Sequence, residues 1–157
     1  MKKILFALSA VLLLQACGDS DIQKVAKSML VVAHAVGYAQ TLVIEANKQN
    51  LIDDRTTGKL LSICAKINVA GKQADSVLRS ATALDPESRS SLSVVATAIV
   101  QAIDPNQLEM LANIKDATTR QSVEGAFALM RSAVNVVGIV LAEGGNHGQS
   151  SSDHQSP

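Results

Sequence analysis

The sequence predicts an all-α fold, an antiparallel up-down bundle of about four to five helices whose first two are long. Three observations carry that expectation. Apolar residues recur in alternating steps of three and four, helix-start signals punctuate the chain at regular intervals, and no segment alternates with the period of two that a strand requires. Among the 157 residues 47% are hydrophobic and 18% charged, a balance that supports one globular core and excludes a wholly disordered chain.

Each element has its own signal. Ser20-Asp21-Ile22-Gln23 reads as a capping box, with Ser20 able to accept from a first-turn N–H and Gln23 able to reach back. From there Ile22, Val25, Met29, Val32, Val36, Ala39, Val43 and Ala46 form a seam, predicting a helix over 20–49. Asp53 and Asp54 supply caps for a second helix over 54–84, whose seam is Leu60, Ile63, Ile67, Ala70, Ala74, Val77, Ala81 and Leu84. At about 1.5 Å per residue each rod is roughly 45 Å long, and the short link from Asn50 to Asp53 forces the pair antiparallel. Asp85-Pro86 and Asp104-Pro105 each place a cap before a proline at the first helical position, where a missing N–H costs nothing. They predict helices over 87–102 and 105–114. A last helix over 118–142 opens at Thr118 or at Asp116, carries Val123, Phe127, Met130, Val134, Val137 and Leu141, and stops at Gly144-Gly145. Sustained seven-residue spacing implies left-handed supercoiling, and the alanines of the seams imply close axes with little room for a ligand.

The chain begins with a different pattern. Lys2 and Lys3 precede an apolar run from Ile4 to Leu14, which is too short for a permanent span of roughly 20 residues. It ends in Leu14-Gln15-Ala16-Cys17, without the A-x-A-like site of an ordinary cleaved signal. This resembles the type II signal peptide and lipobox of bacterial lipoproteins, a likeness confined to residues 1–17. The resemblance implies cleavage after Ala16, a diacylglyceryl group on Cys17 and fatty acylation, palmitate included, of the new amino terminus. Several chains give stable anchoring at about 0.8 kcal/mol per buried methylene. The implied organisation is a signal peptide at 1–16, a lipid-anchored bundle at 17–142 and a disordered polar tail at 143–157. Gly18, not aspartate, follows the cysteine, which in such lipoproteins implies the outer membrane, facing the periplasm, over the inner one. Without Lys2 and Lys3 the mature chain carries 12 basic against 14 acidic residues, giving no pull toward anionic lipid.

Candidate chemistry is sparse. The absence of any basic excess argues against nucleic acid as a partner. Phe6, Tyr38 and Phe127 are the whole aromatic complement, leaving little for stacking on sugars or bases. His34 falls on the polar stripe of the first helix with Lys27, Thr41 and Lys48 and has no convergent partner. His147, Asp153 and His154 lie in the glycine-flanked tail, where nothing orients them toward a metal. Cys64 sits beside the second seam and reads as a buried apolar thiol. Asp53 with Asp54 reads as a cap and not as an acid/base pair. The chain has neither a G-x-S-x-G elbow nor Glu-x-x-His pairs. The expectation is therefore a protein without enzymatic activity, cofactor or metal, acting as a structural or interaction module. Its partners would be the bilayer, through Cys17, and an envelope protein or a second copy, through a helical face. The first helix is apolar beyond its seam at Leu30, Val31, Ala35, Gly37, Leu42 and Ile44, which implies a central position or a covering partner. The competing expectation is an apolar ligand or lipid held among the later helices, motivated by the stretch from Ala126 to Ala142. Arg131 and Asn135 interrupt that stretch and argue against a membrane span.

Overall fold

A computed structural model describes residues 20–143 and is all-α, with no strand among them. Helix α1 spans Asp21–Lys48, α2 Asp54–Ser80, α3 Pro86–Ala102, α4 Pro105–Leu108 and α5 Ala117–Glu143, with a 3-10 turn at Glu109–Asn113 after α4. The signal segment, Cys17 and the tail from residue 144 lie outside the described residues.

The four long helices close a ring. α1 packs on α2 and α5, α2 on α3, and α3 on α5, so the bundle runs up, down, up, down. α1 and α5 share the most extensive interface. The N-terminal ends of α1 and α3 and the C-terminal end of α5 meet at one pole. The α1–α2 turn, the 3-10 turn and the start of α5 meet at the other.

The caps form largely as the sequence indicates. Gln23 Oε1 accepts from the Ser20 amide at 2.9 Å. Asp53 Oδ1 accepts from Thr56 N at 2.7 Å, Asp85 Oδ1 from Ser88 N at 2.7 Å, and Asp104 Oδ1 from Asn106 N at 2.9 Å. Asp116 opens α5 by accepting from Thr119 N at 2.6 Å, so the aspartate and not Thr118 is the cap. α1 ends with Asn50 at φ 57°, the left-handed position that Asn tolerates. The Leu51 amide donates to Ala46 O and the Asn50 amide to Asn47 O, which satisfies the last carbonyls and turns the chain toward α2.

Two boundaries differ from expectation. α2 ends at Ser80, four residues early, and Ala81 is extended. A helix running to Leu84 would leave one residue to reverse direction, and the residue before Pro86 is itself barred from helix. Ala81 and Leu84 thus leave the seam and sit half-buried in the connection. The expected helix over 105–114 is one α-turn followed by the 3-10 turn, a tightening that delivers Leu111 and Ile114 to the core.

The core contains the predicted seams almost whole. Val25, Met29, Val32, Val36, Ala39, Val43 and Ala46 of α1 are buried, as are Leu60, Ile63, Ile67, Ala70 and Ala74 of α2 and all but Leu141 of the α5 set. α5 buries a second row, Ala126, Ala133 and Val140, which widens its apolar face beyond the heptad line. By length and composition alone α1 and α5 are each apolar enough to cross a membrane, Arg131 and Asn135 notwithstanding. Long core helices of bundles meet the same measure, and both contribute a buried face here.

Candidate functional site

α1 is not central. Among the described residues it packs chiefly on α2 and α5, and its far side is exposed. Ala35 is buried and Val31 and Leu42 are half-buried, so half of the predicted apolar excess is ordinary core margin. The rest forms an exposed flank. Leu30, Gly37 and Ile44 recur every seven residues, with Ala26 and Ala33 beside them on the same side. Leu30 is 58% exposed, Ile44 41% and the neighbouring Tyr38 43%. His34 lies exposed between this flank and the charged residues Lys27 and Glu45.

The second surface feature lies across the bundle, where α3 meets α5. An open groove of about 1050 Å³ runs between them, with Ser93, Ala96 and Thr97 on one wall and Val134, Asn135 and Gly138 on the other. α3 carries no charged residue from Ser90 to its end, and α5 none from Ser132 to Ala142. Val94, 68% exposed, and Ile139, 56% exposed, add apolar surface on these two helices. A smaller open hollow of about 430 Å³ lies between the 3-10 turn and α5, over Phe127 and between Arg120, Glu124 and Arg131.

Two arginines close the ends of the α3–α5 pair. Arg89 Nη1 donates to Val140 O and Leu141 O, both at 3.1 Å, its Nε donates to Leu84 O at 2.9 Å, and its Nη2 pairs with Asp21 Oδ2 at 3.4 Å. One side chain thus satisfies late carbonyls of α5 and ties it to the first residues of α1 and α3. Arg131 does the reciprocal service, donating to Ile103 O at the end of α3. The pole of the α1–α2 turn is also joined by side-chain amide and backbone contacts. Asn113 donates to Thr56 Oγ1 at 3.4 Å, Asn47 to Asp54 Oδ1 at 2.9 Å, and the Lys115 amide to Leu51 O at 2.9 Å.

Asp53 and Asp54 act as predicted, one capping α2 and the other accepting from Asn47. Hydrogen bonds from the Thr56, Ser88 and Thr119 backbone amides hold the Asp53, Asp85 and Asp116 carboxyls below their ordinary value. Cys64 is buried among Ile63, Ile67 and the core, and desolvation pushes its thiol up to about 11, the opposite of what a nucleophile needs. Among the described residues no three His, Cys, Asp or Glu side chains gather in a way that could hold a metal ion. The structure does not bring His34 together with any acid or thiol named above. Sequence reasoning pointed to the later helices as the place for an apolar ligand but did not define an open groove between α3 and α5, and it missed both arginine ties. An arginine inside an otherwise apolar helix was the available signal, but its acceptors lie 51 and 52 residues away for Arg89 and 28 for Arg131.

No family model, no curated protein and no solved structure matches this chain.

Proposed function

We propose that this chain is a lipoprotein of the bacterial cell envelope, held in the bilayer by acylated Cys17, whose helical bundle works by contact and not by catalysis. The anchor places it in the outer membrane, facing the periplasm, where α1 meets another envelope protein. The lipobox at residues 14–17 supports the anchor. One observation carries the contact reading: the exposed apolar flank of α1, with Leu30, Gly37 and Ile44 aligned on a helix that packs chiefly on α2 and α5. Exposed apolar residues in a row are the surface a partner helix or sheet would bury. Both hollows are open at the surface, whereas drug-sized ligands are mostly enclosed.

Two measurements test the pair of claims. Metabolic labelling with a fatty acid is expected to mark the wild-type protein, and Cys17→Ala is expected to abolish the label and leave an uncleaved precursor. Undiminished label on the variant removes the anchor. Photo-crosslinking in intact cells from positions 30 and 44 is expected to trap one envelope protein that positions 66 and 72, on the charged outside of α2, do not trap. Equal capture from all four positions removes the α1 face as the contact surface.

The second reading, an apolar ligand or lipid among the later helices, has one observation in its favour, the uncharged groove between α3 and α5.

A further inference from the structure

The open groove ends where the anchor begins. Arg89 and Pro86 line its end at the pole where α1 starts, and Arg89 also reaches Asp21, the first residue of α1, at 3.4 Å. Cys17 precedes Asp21 by four residues, and four residues of extended chain span at most about 14 Å. That length bounds how far Cys17 can lie from Asp21, whose carboxylate pairs with Arg89 at the groove mouth.

The groove has the dimensions and chemistry of a hydrocarbon seat. From Pro86 to Gln101 it follows α3 for roughly 22 Å at 1.5 Å per residue. A leaflet of acyl chains is about half of a ~30 Å hydrocarbon core, so one chain fits lengthwise. Apart from Arg89, Gln101 and Asn135 the walls are small or apolar, and beyond Arg89 they carry no charge. Arg89 commits Nε, Nη1 and Nη2 to Leu84, Val140, Leu141 and Asp21. Such a mouth offers no dedicated cation to the carboxylate of a free fatty acid and suits a chain already held in ester, thioether or amide linkage.

We infer that the α3–α5 groove seats one acyl chain of the lipid on this protein's own Cys17, entering beside Arg89 and lying along Ala96, Val100 and Gly138. The inference rests on the lipoprotein reading of Cys17. It assigns the groove to the protein's own anchor and leaves the α1 flank, across the bundle, to a partner. A chain seated there would fix the bundle's orientation at the membrane instead of leaving it on a loose tether.

The test uses the full chain produced in bacteria fed a palmitate analogue bearing a diazirine. Intact mass of the purified protein first reports acylation, and irradiation followed by peptide mapping reports where the chain lies. Adducts are expected within one molecule, on the segments 93–101 and 134–142. Gly138→Trp, at a position where an added Cβ meets nothing within 4 Å, is expected to plug the trough and cut that yield severalfold, with helical circular dichroism unchanged. An acylated protein whose adducts fall on detergent, on lipid or on α1 and α2 overturns the inference and leaves the anchor intact. Adducts joining two molecules assign the groove to a second copy and overturn it as well. Equal labelling of the same segments in Cys17→Ala by added free analogue makes the groove a general fatty-acid site, against the own-anchor assignment. A protein that carries no acyl group overturns both the anchor and the inference built on it.

Discussion

α5 has two seams, and they are built differently. With α1 it shares the most extensive interface of the bundle, and both helices bury small residues, Ala126, Ala133, Val137 and Val140 on α5 and Val32, Ala35, Val36, Ala39 and Val43 on α1, which allow close axes. Toward α3 it presents Asn135, Gly138 and Ala142, and α3 answers with Ser90, Ser93 and Thr97. These side chains are too short to interdigitate, so the same helix leaves a trough on this side. α3 compounds the difference, because it has 17 residues against 27 in α5, and α4 with the 3-10 turn covers the remainder. Tightness in this bundle follows the residues at each seam and not the helix that bears them.

The largest effect expected from this contrast is at Phe127. It is 2% exposed and heads the large fully buried side chains of the core. Phe127→Ala removes a packed ring and is expected to cost about 3–5 kcal/mol, read as a lowered midpoint in chemical denaturation. A loss under about 1 kcal/mol would mean that the α5 core face is loosely packed. Next comes overfilling of a closed seam. Ala74 is fully buried on α2, and Ala74→Leu is expected to destabilise by about 1–3 kcal/mol because neighbouring helices must separate. An unchanged melting temperature would place slack where the structure has none.

The same substitution logic gives the opposite sign in the open seam. An added Cβ at Gly138 meets nothing within 4 Å. Gly138→Ala is expected to stabilise by about 1 kcal/mol, since alanine restricts the unfolded chain and favours helix at no steric cost. Destabilisation there would show that the trough is closed in solution.

Much of the bundle was legible because its determinants are local. Asp85-Pro86 states a helix start within two residues, and Val25 to Ala46 states a buried face within one helix. The end of α2 was not legible, since Val77, Ala81 and Leu84 carry the heptad line past Ser80 and only the need to reverse direction ends the helix there. The groove was harder still. It arises because short residues on α3 happen to face short residues on α5 some forty positions later, and no periodicity within either helix records that pairing. Arg89 belongs to the same class, a residue whose role is set by carbonyls at the far end of another helix. The α1 flank lies between these extremes: its excess of apolar residues was readable, but whether the fold covered them was not.

The smallest expected effect compares the poles instead of the seams. The pole holding the α1–α2 turn starts α2 and α5 with Asp53 and Asp116 and the short α4 with Asp104, while the other starts α3 with Asp85 and α1 with Ser20 and Gln23. The Asp53, Asp85 and Asp116 carboxyls are held below their ordinary value of 3.8, principally by the Thr56, Ser88 and Thr119 amides. A folded value below the unfolded one means the unfolded chain binds the proton more readily, so each cap stabilises fully above the ordinary value. The contribution is lost as pH falls from there through the lower folded values. Asp53 and Asp85 are exposed and Asp116 is half-buried at the surface, so solvent screens the effect and global stability should change little. Hydrogen exchange localises it. On acidification below the ordinary carboxylate value, protection corrected for intrinsic rate is expected to fall at the first turns of α2, α3 and α5. The middle turns of the four long helices, away from these caps, serve as the internal reference. Uniform loss across helix starts and middle turns would signal global acid unfolding and remove the caps as its local cause.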